Sequence, residues 1–320
     1  MNKTDNAADG KSENVYIGID IGGTKTAVCA GSNTGKIIEK KSFPTDRNLR
    51  TALDNIFSEC GSIQIRYKNK ISAIGVSCGG PLDSELGLIQ SPPNLPGWDN
   101  VPVIKMLQER FRIPAFIEND ANACALAEYN YGAGFDKVRG VRCKNMAFFT
   151  FGTGFGGGFI LDGKLYRGAS GLAGEAGHIR MSDDGPAGYG KRGSLEGWCS
   201  GGGLSEAYFD LYNERISGGE VCIRAEHGEE KAMKVIEKSA VMLGRFLAVI
   251  IDIINPDRIV IGSIFARSES LFRPAVEETI RKECLSPAAS ACTIHPAALG
   301  ENLGDIAALS VAANGLLSSP

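Results

Sequence analysis

The sequence predicts an α/β protein of two related domains, and three observations carry that prediction. Each half of the chain opens with three consecutive strand patterns and continues with alternating helix and strand patterns. A glycine cluster interrupts the first strand of each half at the matching place, Gly22-Gly23 in one and residues 152–158 in the other. At 320 residues the chain is long for a single core.

The elements follow from local pattern. Residues 15–20 (VYIGID) read as a strand stopped by Gly22-Gly23, and residues 26–30 and 36–43 as two more, joined by the turn Asn33-Thr34-Gly35. A helix over 47–60 leads to a strand over 71–77, which ends in Cys78-Gly79-Gly80-Pro81. A Pro- and Gly-rich loop (87–99), a helix (101–111), a strand (113–117) and a helix (121–131) complete this half. In the second half, 145–151 is a strand broken by glycines 152–158, and 159–161 with 164–166 form a hairpin about Asp162-Gly163. Residues 168–203 read as an irregular glycine-rich segment. Helices over 204–215 and 229–254, a strand over 258–261, a helix over 269–283 and a strand over 291–294 follow. The expected organisation is a disordered tail over 1–14, domains over 15–132 and 133–304, and a closing helix over 305–317 that packs back on the first domain.

Composition excludes several classes. Charged residues make up 22% and hydrophobic residues 43%, as in ordinary globular proteins. A net charge of −3 gives no basic footprint for nucleic acid. The polar start has no apolar core of a signal peptide, and the apolar run 241–254 carries Arg245 and Asp252 and is too short to span a bilayer. Nine scattered cysteines with no C-x-x-C fit free thiols in a reducing compartment. A cytoplasmic protein without membrane or nucleic-acid partners is expected.

Chemistry-bearing residues gather at strand ends. Asn119 and Asp120 stand where a strand gives way to a helix, the place where open α/β sheets bind ligands. Either residue type also serves simply as an N-cap. In Asp20-Ile21-Gly22-Gly23-Thr24-Lys25, a carboxylate precedes two glycines, a hydroxyl and an ammonium. Glycines let backbone N–H groups approach phosphate closely, and a carboxylate can hold Mg²⁺ through water. A lone Gly-Gly would otherwise be a plain hairpin turn. Residues 152–158 satisfy G-x-G-x-x-G, but a strand follows where a dinucleotide site needs a helix. Two glycine hairpins facing one another across a cleft can instead clamp one polyphosphate. Glu175, His178 and Glu196 offer carboxylates and an imidazole to a polyhydroxylated ligand, whose hydroxyls both donate and accept.

These motifs resemble the ROK family (repressors, open reading frames and kinases) of the actin-like sugar kinase superfamily. The resemblance rests on DIGGTK at 20–25, PNLPGW at 93–98, END-AN at 118–122, FGTGFGGG at 151–158 and GEAGH at 174–178. It implies two actin-like (ribonuclease H-like) domains flanking a nucleotide and sugar cleft, with ATP·Mg²⁺ used to phosphorylate a hexose. PNLPGW is similar to the ROK glucokinases, which implies glucose; fructose, allose and N-acetylmannosamine are the alternative hexoses. By the same resemblance Asp120 is the general base for the sugar 6-hydroxyl. Gly80, Asn94, Asn119, Glu175, His178 and Glu196 hold the sugar. Asp20, Gly22, Gly23, Thr24, Lys25, Thr153, Gly154 and Gly156 hold ATP·Mg²⁺. A homodimer is the family's common assembly. The family also contains sugar-sensing repressors, which need a DNA-binding domain ahead of the kinase-like part; the 14 residues before the first strand are polar and non-periodic.

Two departures from the family pattern stand out. The zinc motif C-x-C-G-x-x-G-C-x-E is replaced by residues 187–196, with Ala187, Tyr189 and Ser194 in the cysteine positions. No structural zinc is expected; Tyr189 is expected to bury its ring as the filler of the segment. After the strand at 258–261, where the family tends to run I-G-G-G, this chain has Ile261-Gly262-Ser263-Ile264, which touches nucleotide preference.

Overall fold

A computed structural model describes residues 14–136 and 138–318, without the side chain of residue 69. The tail expected over 1–14 lies, apart from Asn14, outside the described residues. The first elements are β1 (Val15–Ile21), β2 (Lys25–Ser32), β3 (Ile37–Pro44), α1 (Leu49–Tyr67), β4 (Ile71–Cys78), β5 (Leu82–Asp83), β6 (Leu88–Ile89), α2 (Val103–Phe111), β7 (Ala115–Asn119), α3 (Asp120–Tyr131), β8 (Phe135–Asp136) and β9 (Val141–Arg142). Then come β10 (Met146–Phe151), β11 (Phe155–Leu161), β12 (Lys164–Tyr166), β13 (Ala187–Gly188), β14 (Lys191–Arg192), α4 (Leu195–Trp198), α5 (Gly201–Tyr212), α6 (Gly218–Glu226) and α7 (Glu230–Ile254). The chain closes with β15 (Arg258–Ser263), α8 (Ile264–Arg267), α9 (Glu269–Glu283), α10 (Ser286–Ala291), β16 (Thr293–Pro296) and α11 (Leu303–Ser318).

Packing divides the chain into two units, residues 14–118 with 308–318, and residues 119–307. In the first unit the sheet order is β3-β2-β1-β4-β7, with β1 antiparallel to β2 and parallel to β4. Side chains alternate across a strand, so one face of β1 presents Ile17 and Ile19 to the core shared with Ile56 and Phe57 of α1 and Leu107 and Phe111 of α2. The other face presents Tyr16 and Gly18, and here α11 is seated through Leu309 and Ala312. Gly75 is the tightest point of that seat, since a Cβ there would stand 2.1 Å from the carbonyl oxygen of Ala308.

In the second unit the order is β12-β11-β10-β15-β16, again with the hairpin strand antiparallel and the next strand parallel to the first. Alternation on β10 sorts its residues. Phe149 and Phe151 face α7 and α9, where they meet Phe246 and Phe272 with ring centroids 5.0 and 5.3 Å apart. Met146 and Phe148 face α3, against Ala125 and Leu126. Among the described residues no helix is long and apolar enough to cross a membrane. The apolar run ending in α7 is amphipathic rather than wholly buried, with Leu247 inside and Ile253 largely exposed.

The structure differs from the sequence reading at several points. Glycines 156–158 lie within β11 instead of breaking it. The segment 168–203 is ordered locally into the hairpin β13–β14, the short helix α4 and the start of α5. The helices α6, α8 and α10 went unread; α8 and α10, of four and six residues, are too short to show a helical period. The division between units falls before α3, not after residue 132, because α3 packs on β11 and β10.

One buried carboxylate ties α3 to the end of the second unit. Glu128 is fully buried and accepts N–H bonds from Ala133 at 2.8 Å, Ala298 at 2.9 Å and Leu299 at 3.0 Å. Truncation would leave those donors buried without an acceptor, at a cost of about 1–3 kcal/mol for each group left unmet. Glu128→Ala is therefore expected to lower stability by about 3 kcal/mol or more, read as a shift of the urea midpoint with the slope unchanged.

Candidate functional site

In the first unit the glycine hairpin is closed by its own backbone. Gly22 N–H donates to the Lys25 carbonyl at 3.0 Å, and Thr45 Oγ1 donates to the Gly22 carbonyl at 2.7 Å. Gly23, Thr24 and Lys25 are exposed at its tip, with Asp20 half-buried behind them on β1. The loop carrying Asn94 lies directly against this tip: a Cβ at Gly23 would stand 2.6 Å from the Asn94 carbonyl oxygen. That loop is pinned by Leu95 and Trp98, both buried in the core. Gly80 follows β4, half-buried, and joins Pro81 through a cis bond.

The second unit assembles its residues around β11. Gly156 and Gly158 turn toward α3, where a Cβ would stand 3.2 Å from Ala121 Cβ and 2.8 Å from Ala125 Cβ. On the opposite face the segment 174–178 crosses the strand. A Cβ at Gly174 would stand 2.2 Å from the Gly157 oxygen, and one at Gly177 2.3 Å from the Phe155 oxygen. Glu196, on α4, accepts the Phe155 N–H at 3.0 Å, and a Cβ at Gly154 would stand 2.6 Å from the same carboxylate. Thr153 remains exposed at the tip of this loop. The loop is further held by the Gly201 N–H, which donates to the Gly152 carbonyl at 2.8 Å.

Asn119 is an N-cap: its Oδ1 accepts the Ala121 N–H at 3.0 Å. Asp120 is the first residue of α3, and its Oδ1 accepts the same N–H at 2.8 Å. The Asp120 side chain keeps access to solvent, yet protein crowds its carboxyl. Burial therefore raises its pKa above the ordinary carboxylate value, against backbone hydrogen bonds that lower it. Glu175 is raised as well, first by burial and then by the charges of Asp120 and Glu196, while His178 opposes the rise. Those mutual charges put Asp120, Glu175, Glu196 and His178 in one electrostatic neighbourhood. Such shifts at grouped residues are characteristic of functional sites.

The segment that departs from the zinc pattern is held by hydrogen bonds. Ser194 is fully buried; its hydroxyl donates to the Gly188 carbonyl at 3.1 Å and accepts the Gly197 N–H at 3.1 Å. Trp198 Nε1 donates to Ser182 Oγ at 2.9 Å. Tyr189 is not the buried filler that the sequence suggested: it is 67% exposed, because Tyr189-Gly190 is the turn of the hairpin β13–β14 and points its side chain outward. Among the described residues no group of three or more His, Cys, Asp or Glu is placed to hold a metal ion.

Ser263 ends β15 beside the glycine loop. Its backbone, at φ 58° and ψ −117°, occupies a region natural to glycine, and its hydroxyl lies 3.4 Å from Thr150 Oγ1. No sequence pattern signalled the strain; only the departure from I-G-G-G drew attention to the position.

The ROK family matches over residues 16–314. The chain is 29% identical to a glucokinase of Halalkalibacterium halodurans, over 92% of this chain and 94% of that protein. It is 29% identical to the xylose repressor of Caldicellulosiruptor bescii, over 83% of this chain and 70% of that protein. The crystal structure of a ROK family glucokinase from Streptomyces griseus with glucose and AMPPNP superposes with a TM-score of 0.75 at 26% identity, covering 94% of this chain and 100% of that one.

Two stability measurements follow from the site. Ser263→Gly relieves a strained backbone of about 1–3 kcal/mol and adds back part of that as unfolded-chain entropy. A net gain of about 1 kcal/mol in a denaturant titration is expected. Asp120 has a folded pKa above its unfolded value, so its ionisation opposes folding. Stability is highest with the group protonated and is lost as pH rises through the folded pKa. Asp120→Asn keeps the Oδ1 acceptor without the charge. It should melt above the wild type at pH 7.5, with the difference vanishing as pH falls through that folded pKa toward the ordinary carboxylate value of about 4.

Proposed function

The chain belongs to the ROK family, and on that footing we propose that it is an ATP-dependent hexose kinase that transfers phosphate to the sugar 6-hydroxyl, with glucose as its substrate. The observation that carries the reading is Asp120: a crowded carboxylate with a raised pKa, at the end of a strand and the start of α3, grouped with Glu175, Glu196 and His178. A carboxylate tuned upward is a better proton acceptor at neutral pH than an ordinary one. We assign Asp120 as the general base that takes the 6-hydroxyl proton as the oxygen attacks the terminal phosphorus of ATP.

The sugar is assigned to Asn94 and Gly80 in the first unit, and to Asn119, Glu175, His178 and Glu196 in the second. Carboxylates, amides and an imidazole give a hexose both the acceptors and the donors its hydroxyls need. Glu196 has a further duty, since the bond from Phe155 N–H sets the shape of the glycine loop. The glucokinase relative and the glucose-bound structure support glucose, and an N-acetylmannosamine kinase of Haemophilus influenzae at 28% identity supports that alternative.

ATP is assigned to Asp20, Gly22, Gly23, Thr24 and Lys25, and to Thr153, Gly154 and Gly156. The donor set suits a polyphosphate: an exposed ammonium, exposed hydroxyls and glycine backbone that can be approached closely. Mg²⁺, when bound, neutralises charge on the transferring phosphate, and Asp20 would hold it through water. Phosphoryl transfer is mostly positioning and electrostatics, so one well-placed carboxylate is sufficient protein chemistry.

A sugar sensor that binds hexose without phosphorylating it is the second reading, and the repressor among the relatives is its support. A coupled assay of ADP release over a panel of hexoses separates the two. Glucose is expected to give the highest kcat/KM, and sugar binding with no ADP release would favour the sensor. Asp120→Asn should reduce kcat by about 10²–10⁴-fold with glucose affinity largely kept; turnover near wild type would remove Asp120 from its assigned role.

A further inference from the structure

Tyr189 sits in the wrong kind of turn for a tyrosine. The hairpin β13–β14 is joined by two residues, Tyr189 and Gly190, both in the left-handed region at φ 55° and 69°. That is the pattern of a type I′ turn, whose first position favours Asn, Asp or Gly. A bulky aromatic at positive φ is an outlier and is strained by about 1 kcal/mol or more. Packing does not repay the strain, because the side chain is 67% exposed.

The surrounding bonds hold the tyrosine at one place. Lys191 Nζ donates to the His178 carbonyl at 2.8 Å, and Ser194 Oγ donates to the Gly188 carbonyl at 3.1 Å, so both strands of the hairpin are tied down. Gly188 is seated so closely on α4 that a Cβ there would stand 2.5 Å from the Gly197 nitrogen. The ring meets the His178 imidazole edge-on, with centroids 6.3 Å apart and planes at 88°. The phenol is held above its usual pKa by burial and then by the charges of Glu175, Glu196 and Asp120, so it lies within electrostatic reach of all three carboxylates.

We propose that Tyr189 is a substrate-positioning residue, which offers its exposed ring to the apolar C–H face of the hexose and its hydroxyl to a sugar oxygen beside His178. The proposal rests on the reading of this site as a hexose site. A rigid ring with a polar tip suits a ligand with one apolar face and a polar rim. It also accounts for a strained, exposed aromatic on a firmly tethered hairpin: strain of this kind persists where the surrounding structure enforces it, and it clusters at ligand sites.

Tyr189→Asn is the informative variant, because Asn-Gly is the preferred I′ pair and the hairpin survives loss of the ring. Glucose affinity by titration calorimetry and the KM for glucose are both expected to weaken about tenfold. The KM for ATP and kcat at saturating glucose should stay within about twofold, and the melting temperature should be equal to the wild type's or higher. A variant whose glucose affinity is within twofold of wild type overturns the proposal while leaving the kinase reading intact. A wild-type chain that binds no hexose overturns both.

Discussion

The second unit depends on how closely its polypeptide can approach β11. Three successive glycines leave the middle of that strand without side chains, and neighbours close on it from both faces. On one face α3 comes within contact of where Cβ atoms of Gly156 and Gly158 would stand. On the other, the backbone at Gly174 and Gly177 crosses at distances no side chain would permit. The first approach positions Asp120 and the second positions Glu175 and His178. A strand with ordinary side chains would push the two groups apart by several ångströms, and no local adjustment of rotamers would restore them. The glycines serve as a spacer of minimal thickness as much as a source of flexible backbone.

Bringing those groups together opposes folding. Burial raises the pKa of Asp120, and burial followed by the charges of Asp120 and Glu196 raises that of Glu175. The scaffold tolerates this because other polar groups are well satisfied. Glu128 accepts N–H bonds from three residues. Glu196 gives one oxygen to the Phe155 amide, which fixes the glycine loop and limits its own freedom. Ser263 and Tyr189, two of the non-glycine residues at positive φ, add local strain beside the candidate site.

The segment with Ala187, Tyr189 and Ser194 in place of the zinc-type cysteines is held by hydrogen bonds. Ser194 is buried and bridges the hairpin to α4 with one accepted and one donated bond. Trp198 reaches Ser182, and glycines at 188, 193 and 197 let the hairpin, α4 and residues 182–186 close tightly on one another. Each such bond contributes only about 1 kcal/mol. The arrangement works by covering many small polar groups at once, and it leaves the turn residue Tyr189 outside the packed segment.

The main order of strands and helices, the matching glycine clusters of the two halves and the family motifs were legible in the chain. Each is written in local spacing: period-two strands, helical runs, glycines at strand ends. The sequence by itself also determined the cast of polar residues, with Asp120 singled out by its place between a strand and a helix. Only the tertiary structure decided that glycines 156–158 belong within a strand, since their role is defined by neighbours 17 to 37 residues away. It decided too that α3 goes with the second unit, and that Tyr189 is exposed and not buried. The reason is the same in each case. A glycine or a tyrosine looks identical in sequence whether it bends a turn, admits a neighbour or faces a ligand, and only the packing of distant segments separates those roles.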